Sequence, residues 1–326
     1  MTLWAWVGLI ALITLFGTMA AANDGGSLAA ALVASGALTE LGRSLLVLVA
    51  VAAGPWLIGT AVARTVALQI VDLVRLGPPV LVAAVLSAVA TVALSYARRL
   101  PTSMSLALVG GLVGAGWVAG GGAAVHWAGV ARVLGGMLLA IVTGFVLGWL
   151  CRRAADHTVR PRHVRRGGWL RALQTGASAL QGIGYGGNDA EKVTGLLALL
   201  AVWAGRAGHP FTVPAWAIGG STLVFGFGML IGGRRIMKTV GFRIFRVRVP
   251  DALAAQTGSA IAVIGAALSG YPVSTASSAT TALLGVGAAH RLTLPRWRVV
   301  RDMALAWAVT LPLAAALAAV LMLALR

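Results

Sequence analysis

Charge is scarce in this sequence: only 10% of its 326 residues are Asp, Glu, Lys or Arg, whereas 59% are hydrophobic. A soluble globular protein of this length needs many more polar residues to cover its surface. The scarcity therefore excludes an ordinary soluble domain and predicts an integral membrane protein. Acidic residues are especially few, 8 against 26 basic ones, so a carboxylate inside an apolar run calls for an explanation.

Cysteine is also nearly absent, since Cys151 is the only one in the chain. A lone cysteine excludes an internal disulfide and a cysteine-based metal cluster. The five histidines fall in loops or near the ends of predicted spans, and we interpret them as solvated residues rather than metal ligands. We therefore expect no cofactor.

The net charge of +18 would suggest nucleic-acid binding in a soluble chain. Most basic residues, however, lie between apolar runs, and the densest group extends from Arg152 to Arg171. The positive-inside rule explains this distribution, so nucleic acid is not an expected partner and the lipid bilayer is. For a multi-pass protein of the cell membrane, which we predict here, the same rule predicts that both termini are extracytoplasmic.

The apolar runs are rich in Leu, Ala, Val and Gly and are mostly 18 residues or longer, which favours spanning helices over the alternating strands of a barrel. We predict ten net crossings, at residues 3–38, 44–63, 79–97, 102–118, 128–150, 172–203, 213–232, 251–269, 274–289 and 302–325. Five crossings in each half is an odd number, so two homologous halves must have opposite orientations in the membrane. We therefore predict two inverted repeats, 1–150 and 172–326, joined by a basic cytoplasmic linker, 151–171.

Two Asn-Asp pairs stand inside these apolar runs. Asn23-Asp24 lies in the first half, and Asn188-Asp189 follows 165 residues later. An ionisable residue at membrane depth is costly and usually marks a substrate or ion pathway. We predict that the two pairs form the two halves of one binding site.

Glycines beside both pairs predict interrupted helices. The run 172–203 would extend about 48 Å as one helix, against a hydrocarbon core of about 30 Å. Gly186 and Gly187 predict a break just before Asn188, and Gly25 and Gly26 predict one just after Asp24. Counting broken elements twice gives about twelve helical segments.

A second motif also occurs twice. Pro101-Thr102-Ser103-Met104-Ser105 precedes one apolar run, and Pro272-Val273-Ser274-Thr275 precedes another, 171 residues later. A proline followed by Ser or Thr is typical of a helix start, where unpaired backbone N–H groups can bind an anion. The alternative is that these hydroxyls only cap or back-bond their own helices.

Other functions remain open at this point. An intramembrane enzyme with two catalytic aspartates would also bury two carboxylates, although it would not need hydroxyl-bearing helix starts. A non-transporting scaffold or receptor is a further alternative. If the ligand is an oxyanion, a cation has to separate it from the two aspartates, because like charges repel strongly at low dielectric. A sodium ion or a proton would meet this need and would make anion binding depend on the cation.

Together these residues resemble the PiT family of inorganic phosphate transporters. The resemblance rests on Ala22-Asn23-Asp24, on Gly187-Asn188-Asp189-Ala190-Glu191-Lys192 and on the Pro-x-Ser segments. It implies an inverted-repeat symporter of phosphate driven by sodium or protons, with sulfate or metal-phosphate as alternative substrates within the family. A homodimer is retained as an alternative to a monomer.

The resemblance also implies roles for individual residues. Ser103, Ser274, Thr275, Asn23 and Asn188 correspond to phosphate-binding residues. Asp24 and Asp189, with the same two asparagines, correspond to the coupling-cation site, and the two aspartates would be the sodium ligands. Secondary candidates are Ser105, Glu191 and Lys192. The sequence departs from the family pattern in lacking both motif histidines and in having Met104 and Tyr185 at motif positions.

Overall fold

The computed structural model describes residues 2–35, 40–97, 102–158, 168–206, 211–240, 248–295 and 297–325. Nearly all of these residues are helical, and the β-type pairing within them is an isolated bridge between Val71 and Val125. Each run predicted to cross the membrane coincides with one helix or with consecutive helices. The predicted all-α architecture is therefore confirmed.

The first half contains α1 (Leu3–Ser35), α2 (Glu40–Ile58), α3 (Ala61–Leu68), α4 (Leu73–Leu76), α5 (Pro78–Ala97), α6 (Met104–Gly120) and α7 (Trp127–Thr158). The second half contains α8 (Gly168–Tyr185), a π-helical segment (Gly186–Ala190), α9 (Glu191–Trp203), α10 (Ala215–Val240), α11 (Val249–Leu268), α12 (Thr275–His290) and α13 (Trp297–Ala324). The predicted linker 151–171 thus begins and ends in helices, and its middle, 159–167, lies outside the described residues.

Several helices are long and apolar enough to cross a membrane. Their apolar stretches are Leu3–Asp24, Pro78–Ser95, Trp127–Thr158, Val249–Leu268 and Val300–Ala324. Large side chains such as Trp4 and Leu223 are 81% and 76% exposed, as expected where a helix faces lipid rather than water. The chain is a multi-pass membrane protein.

The helices of the two halves pack reciprocally. Helix α1 packs on α10, and the corresponding elements of the second half, α8 and α9, pack on α2 and α3. In the same way α6 packs on α13, while α12 packs on α7. This exchange of partners is the arrangement that two repeats related by a two-fold axis produce. The exact repeat limits, 1–150 and 172–326, stay a prediction.

Glycines allow α6 to approach α13 closely and α7 to approach α12 closely. A Cβ added at Gly114 of α6 would overlap the carbonyl oxygen of Ala315, and one added at Gly148 of α7 would overlap that of Ala282. Backbone contact of this kind is common between membrane helices. In lipid there is no hydrophobic effect to hold helices together, so their association depends on close van der Waals packing.

The predicted break after Asp24 is wrong, because α1 runs without interruption from Leu3 to Ser35 through Gly25 and Gly26. A glycine costs a helix only about 1 kcal/mol. Freeing backbone groups at membrane depth costs several kcal/mol for each group. Glycine therefore breaks a membrane helix only where other groups bond the released backbone, and the sequence does not show where that is.

The sharpest break in the first half lies elsewhere. Helices α2 and α3 meet at 76° across Gly59 and Thr60, a bend typical of a broken span or a re-entrant segment. Gly59 has φ of 96°, in the left-handed region that glycine adopts at little cost. Pro55, four residues earlier, lacks the N–H that would continue the helical bonding of α2.

The second predicted break is correctly placed but takes another form. Gly186 and Gly187 begin a π-helical segment between α8 and α9 rather than an unwound stretch. A Cβ added at Gly54 of α2 would lie 2.5 Å from the backbone nitrogen of Gly187, and one added at Gly186 would overlap the carbonyl oxygen of Val51. The glycines thus let α2 contact the backbone of the π segment, and π turns of this kind are frequent at functional sites.

Candidate functional site

The two motif aspartates converge although 165 residues separate them. Asp24 lies on α1 and Asp189 in the π segment, and both side chains are buried, 4% and 2% exposed. Helix α1 contacts the π segment, and the charges of Asp189 and Lys192 both act on the Asp24 carboxyl. The amide of Asn23 donates a hydrogen bond of 2.9 Å to Asp24 Oδ1. The first motif therefore presents a carboxylate that its own asparagine helps to orient.

Asn188 joins the π segment to the chain that precedes α12. Its Nδ2 donates to the carbonyl oxygen of Tyr271 at 2.9 Å, and its Oδ1 accepts from the backbone N–H of Val273 at 3.0 Å. The amide is fully buried and bonds backbone on both sides. In this geometry Asn188 holds the second Asn-Asp motif against the second Pro-x-Ser motif.

Lys192 lies at the centre of the site. Its ammonium nitrogen is 2.5 Å from Asp189 Oδ1, 2.5 Å from Ser105 Oγ and 2.6 Å from the carbonyl oxygen of Val273. The other oxygen of Asp189 accepts a hydrogen bond from the hydroxyl of Thr275. Side chains from the second Asn-Asp motif thus meet the first turns of both α6 and α12.

The two predicted anion-binding serines differ in what their hydroxyls do. Ser103 Oγ accepts from the backbone N–H of Leu106 at 3.3 Å and so caps α6. Ser274 precedes α12 without such a cap, and its hydroxyl lies 2.8 Å from that of Ser277. The serine of α6 that reaches the centre of the site is Ser105. At the start of α12, no backbone N–H group is bonded by the side chain of the N-cap residue Ser274.

Glu191 faces away from this centre. Its Oε2 accepts a hydrogen bond of 3.3 Å from the backbone N–H of Ala63, in the first turn of α3. The side chain is fully buried, and among the described residues its Oε1 has no hydrogen-bond partner. Glu191 therefore supports the α2–α3 bend rather than joining the aspartates.

A cavity of about 250 Å³ lies beside the site. Arg64, Thr65, Arg132 and Tyr271 are among its lining residues, and the carbonyl of Tyr271 is the one that Asn188 bonds. Neither arginine forms an ion pair with any residue that the structure describes. The cavity is therefore an electropositive chamber one residue away from the second Pro-x-Ser motif.

The donor atoms suit a hard cation better than a transition metal. No group of three or more His, Cys, Asp and Glu side chains comes together within the described ranges. The buried carboxylates, the hydroxyls of Ser105 and Thr275, and backbone carbonyl oxygens are instead oxygen ligands of the kind that hard cations prefer.

Sequence reasoning identified most of these residues but ranked them differently. Ser105 and Lys192 were only secondary candidates, yet they meet at the centre. Ser277 was not singled out at all. The spacing of three from Asp189 to Lys192 places both on one helix face and was the available signal. Asn23, Ser103 and Ser274 lie near the centre, and the substrate roles predicted for them stay predictions.

Comparison with known proteins identifies relatives of this chain. The model of the phosphate transporter family matches residues 20–168 and 152–318. A probable low-affinity inorganic phosphate transporter of Rhizobium meliloti is 35% identical over 80% of this chain and 78% of its own. A protein with the same description from Bacillus subtilis is 31% identical over 80% of this chain and 79% of its own.

The fold also matches a solved structure, described as the sodium-dependent phosphate transporter. The two chains share only 18% identity, but they align with a TM-score of 0.88 over 99% of each. That likeness establishes the fold, and the sequence matches establish the family. The relatives are named as transporters, which supports a transporter over the alternative of an intramembrane enzyme. The chain belongs to the phosphate transporter family.

Proposed function

We propose that the protein is a symporter that moves inorganic phosphate across the cell membrane together with a sodium ion or a proton. The observation that carries the proposal is the convergence of Asp24 with Asp189 and Lys192, whose side chains contact the first turns of α12 and α6, in a chain of this family. The names of the relatives support phosphate as the substrate, and the name of the similar structure makes sodium the first cation to test.

The anion would bind at the start of α12. The backbone N–H groups there carry the partial positive charge of a helix N-terminus, and Ser274 does not consume one of them as a cap. The hydroxyls of Ser274 and Ser277 bond to each other, so the pair offers one further O–H donor beside it. The start of α6 is the weaker half of this cradle, because Ser103 already caps that helix.

The coupling cation would bind at the aspartates. Two unit charges of like sign 4 Å apart repel by about 4 kcal/mol at an effective dielectric of 20. A phosphate beside two buried carboxylates is therefore unfavourable until positive charge is supplied. A cation at Asp24 would supply part of it, so phosphate and cation would each raise the affinity for the other, as linkage requires.

Carboxylates also favour phosphate over sulfate. Near neutral pH phosphate retains at least one O–H and can donate a hydrogen bond to a carboxylate, whereas sulfate can only accept. A site that presents a polar group to one ligand discriminates strongly against an isostere that leaves that group unpaired. Sulfate and metal-phosphate remain alternative substrates to be measured against phosphate.

The cavity beside Tyr271 would serve as the approach to the site. Arg64 and Arg132 give it positive potential, and a positive chamber raises the local concentration of an anion. Alternating access would follow from one bundle of the reciprocal repeats rocking against the other around the aspartates. We retain the prediction that both termini are extracytoplasmic, which would open this cavity to the outside.

Proteoliposomes test the proposal directly. The purified protein is reconstituted, and uptake of labelled phosphate and labelled sulfate is measured with an imposed sodium gradient, a proton gradient, both or neither. We expect phosphate to accumulate only with a cation gradient, and sulfate to compete weakly. An Asp24→Asn protein is the control. Accumulation of neither anion under any gradient would refute phosphate symport, and equal accumulation of both would replace phosphate by oxyanions in general.

A further inference from the structure

The three contacts of Lys192 account for all of its hydrogen-bonding capacity. A lysine ammonium has three N–H donors, and here three acceptors lie within 2.6 Å: a carboxylate oxygen of Asp189, the hydroxyl of Ser105 and the carbonyl of Val273. The side chain is 4% exposed. An ammonium held by three oxygens, one of them anionic, is fixed in its position.

These oxygens form the kind of environment that a mobile cation would occupy. Carboxylate, hydroxyl and backbone carbonyl oxygens from separate segments are the ligands that proteins offer to hard cations. An ammonium group and a sodium ion carry the same single charge. We propose that the ammonium of Lys192 is a built-in cation that takes the place of one mobile coupling cation at Asp189. This inference rests on the proposed function, since it concerns the cation requirement of that transport site.

The sequence shows that the two halves differ at this point. The spacing that aligns Asp24 with Asp189 aligns Ser27 with Lys192, so the first motif has no lysine at the equivalent position. The second motif therefore supplies its own aspartate with a positive charge, and the first motif contributes no such residue. The protein should therefore couple each phosphate to one mobile cation fewer than a site with two lysine-free aspartates would.

The variant Lys192→Gln tests this reading. It removes the charge and leaves Asp189 in need of a cation. In proteoliposomes, the slope of log apparent phosphate affinity against log cation concentration should rise by one, for sodium or for protons. At limiting cation, uptake should fall at least tenfold, and saturating cation should restore it to within a few-fold of the unsubstituted protein. Lys238→Gln is the matched control, because Lys238 is the only other lysine, and its slope should not change.

An unchanged cation dependence would overturn the inference. If Lys192→Gln keeps the original slope for both cations, with or without a weaker phosphate affinity, then Lys192 binds the anion or serves packing, and the inference is overturned. The same holds if Lys238→Gln changes the slope by the same amount.

A thermal measurement covers the case in which the single variant folds poorly or the proposed function fails. In detergent without phosphate, sodium or a lower pH should raise the melting temperature of Lys192→Gln more than that of the unsubstituted protein, since a ligand of the folded state stabilises it. The double variant Asp189→Asn with Lys192→Gln, which removes both charges, should restore stability and abolish the extra rise in melting temperature. The inference is overturned if Lys192→Gln lacks the extra rise in melting temperature, or if the double variant is less stable than both single variants. Failure of phosphate uptake in the unsubstituted protein refutes only the proposed function.

Discussion

Replacing Asn188 separates a positioning role from a substrate-binding role. Its side chain makes two buried hydrogen bonds to backbone, one to Tyr271 and one from Val273. Asn188→Ala deletes both and leaves a buried C=O and a buried N–H without these partners. A net hydrogen bond contributes about 1 kcal/mol, and each abandoned buried group costs about 1 to 3 kcal/mol. The two abandoned groups should therefore cost about 2 to 6 kcal/mol together.

The assay is thermal unfolding of the purified protein without phosphate, followed by phosphate binding. We expect Asn188→Ala to lower the melting temperature clearly before any ligand is added. Asn23→Ala is the matched control: Asn23 is half-buried, and its hydrogen bond goes to the adjacent Asp24, so its loss should cost about 1 kcal/mol. If Asn188→Ala leaves the melting temperature unchanged but weakens phosphate binding, Asn188 is a ligand and the positioning argument is wrong.

Further substitutions test the other parts of the site. Asp24→Asn should abolish cation-dependent phosphate uptake, and normal gradient-driven uptake in this variant would contradict the cation-binding role proposed for Asp24. Ser274→Ala should weaken apparent phosphate affinity about ten- to hundredfold with cation coupling preserved, because a charge-assisted hydrogen bond contributes about 1.5 to 3 kcal/mol; an unchanged affinity would exclude this contact. Arg64→Gln should slow uptake at low phosphate but not the maximal rate, and the difference should fade as salt rises from 0.01 to about 0.5 M; a salt-independent effect would contradict steering. Single cysteines in 152–171 should resist an impermeant thiol reagent applied outside intact cells, and labelling there would refute the predicted topology.

Much of the helical architecture could be predicted from the sequence. An apolar run in lipid must bond all its backbone groups within itself, so a run such as 302–325 has little alternative to a helix. The repeat could also be predicted from the sequence, because the Asn-Asp and Pro-x-Ser motifs recur in the same order at nearly the same spacing. The convergence of Asp24 and Asp189 followed from that symmetry.

The positions of the helix breaks were less predictable. Gly25 and Gly26 remain helical, whereas Gly59 directly follows the end of α2. Local sequence favours a break at any of them, since each glycine weakens a helix by a similar amount. What distinguishes Gly59 is its surroundings, because Glu191, far along the chain, accepts a hydrogen bond from a buried backbone N–H in the first turn of α3, where the bend leaves it without a partner in its own helix.

The sequence by itself determined the spanning helices, the two repeats and the two buried aspartates, because composition, periodicity and spacing are local properties. Only the tertiary structure decided which neighbours those aspartates have. Glu191 and Lys192 are adjacent, yet successive helical residues point about 100° apart. The packing of α9 against α3 turns Glu191 toward the bend and Lys192 toward Asp189, where Ser105 and Val273 arrive from 87 and 81 residues away. Contacts over such separations depend on how whole helices are rotated against one another, and the order of the residues does not record that rotation.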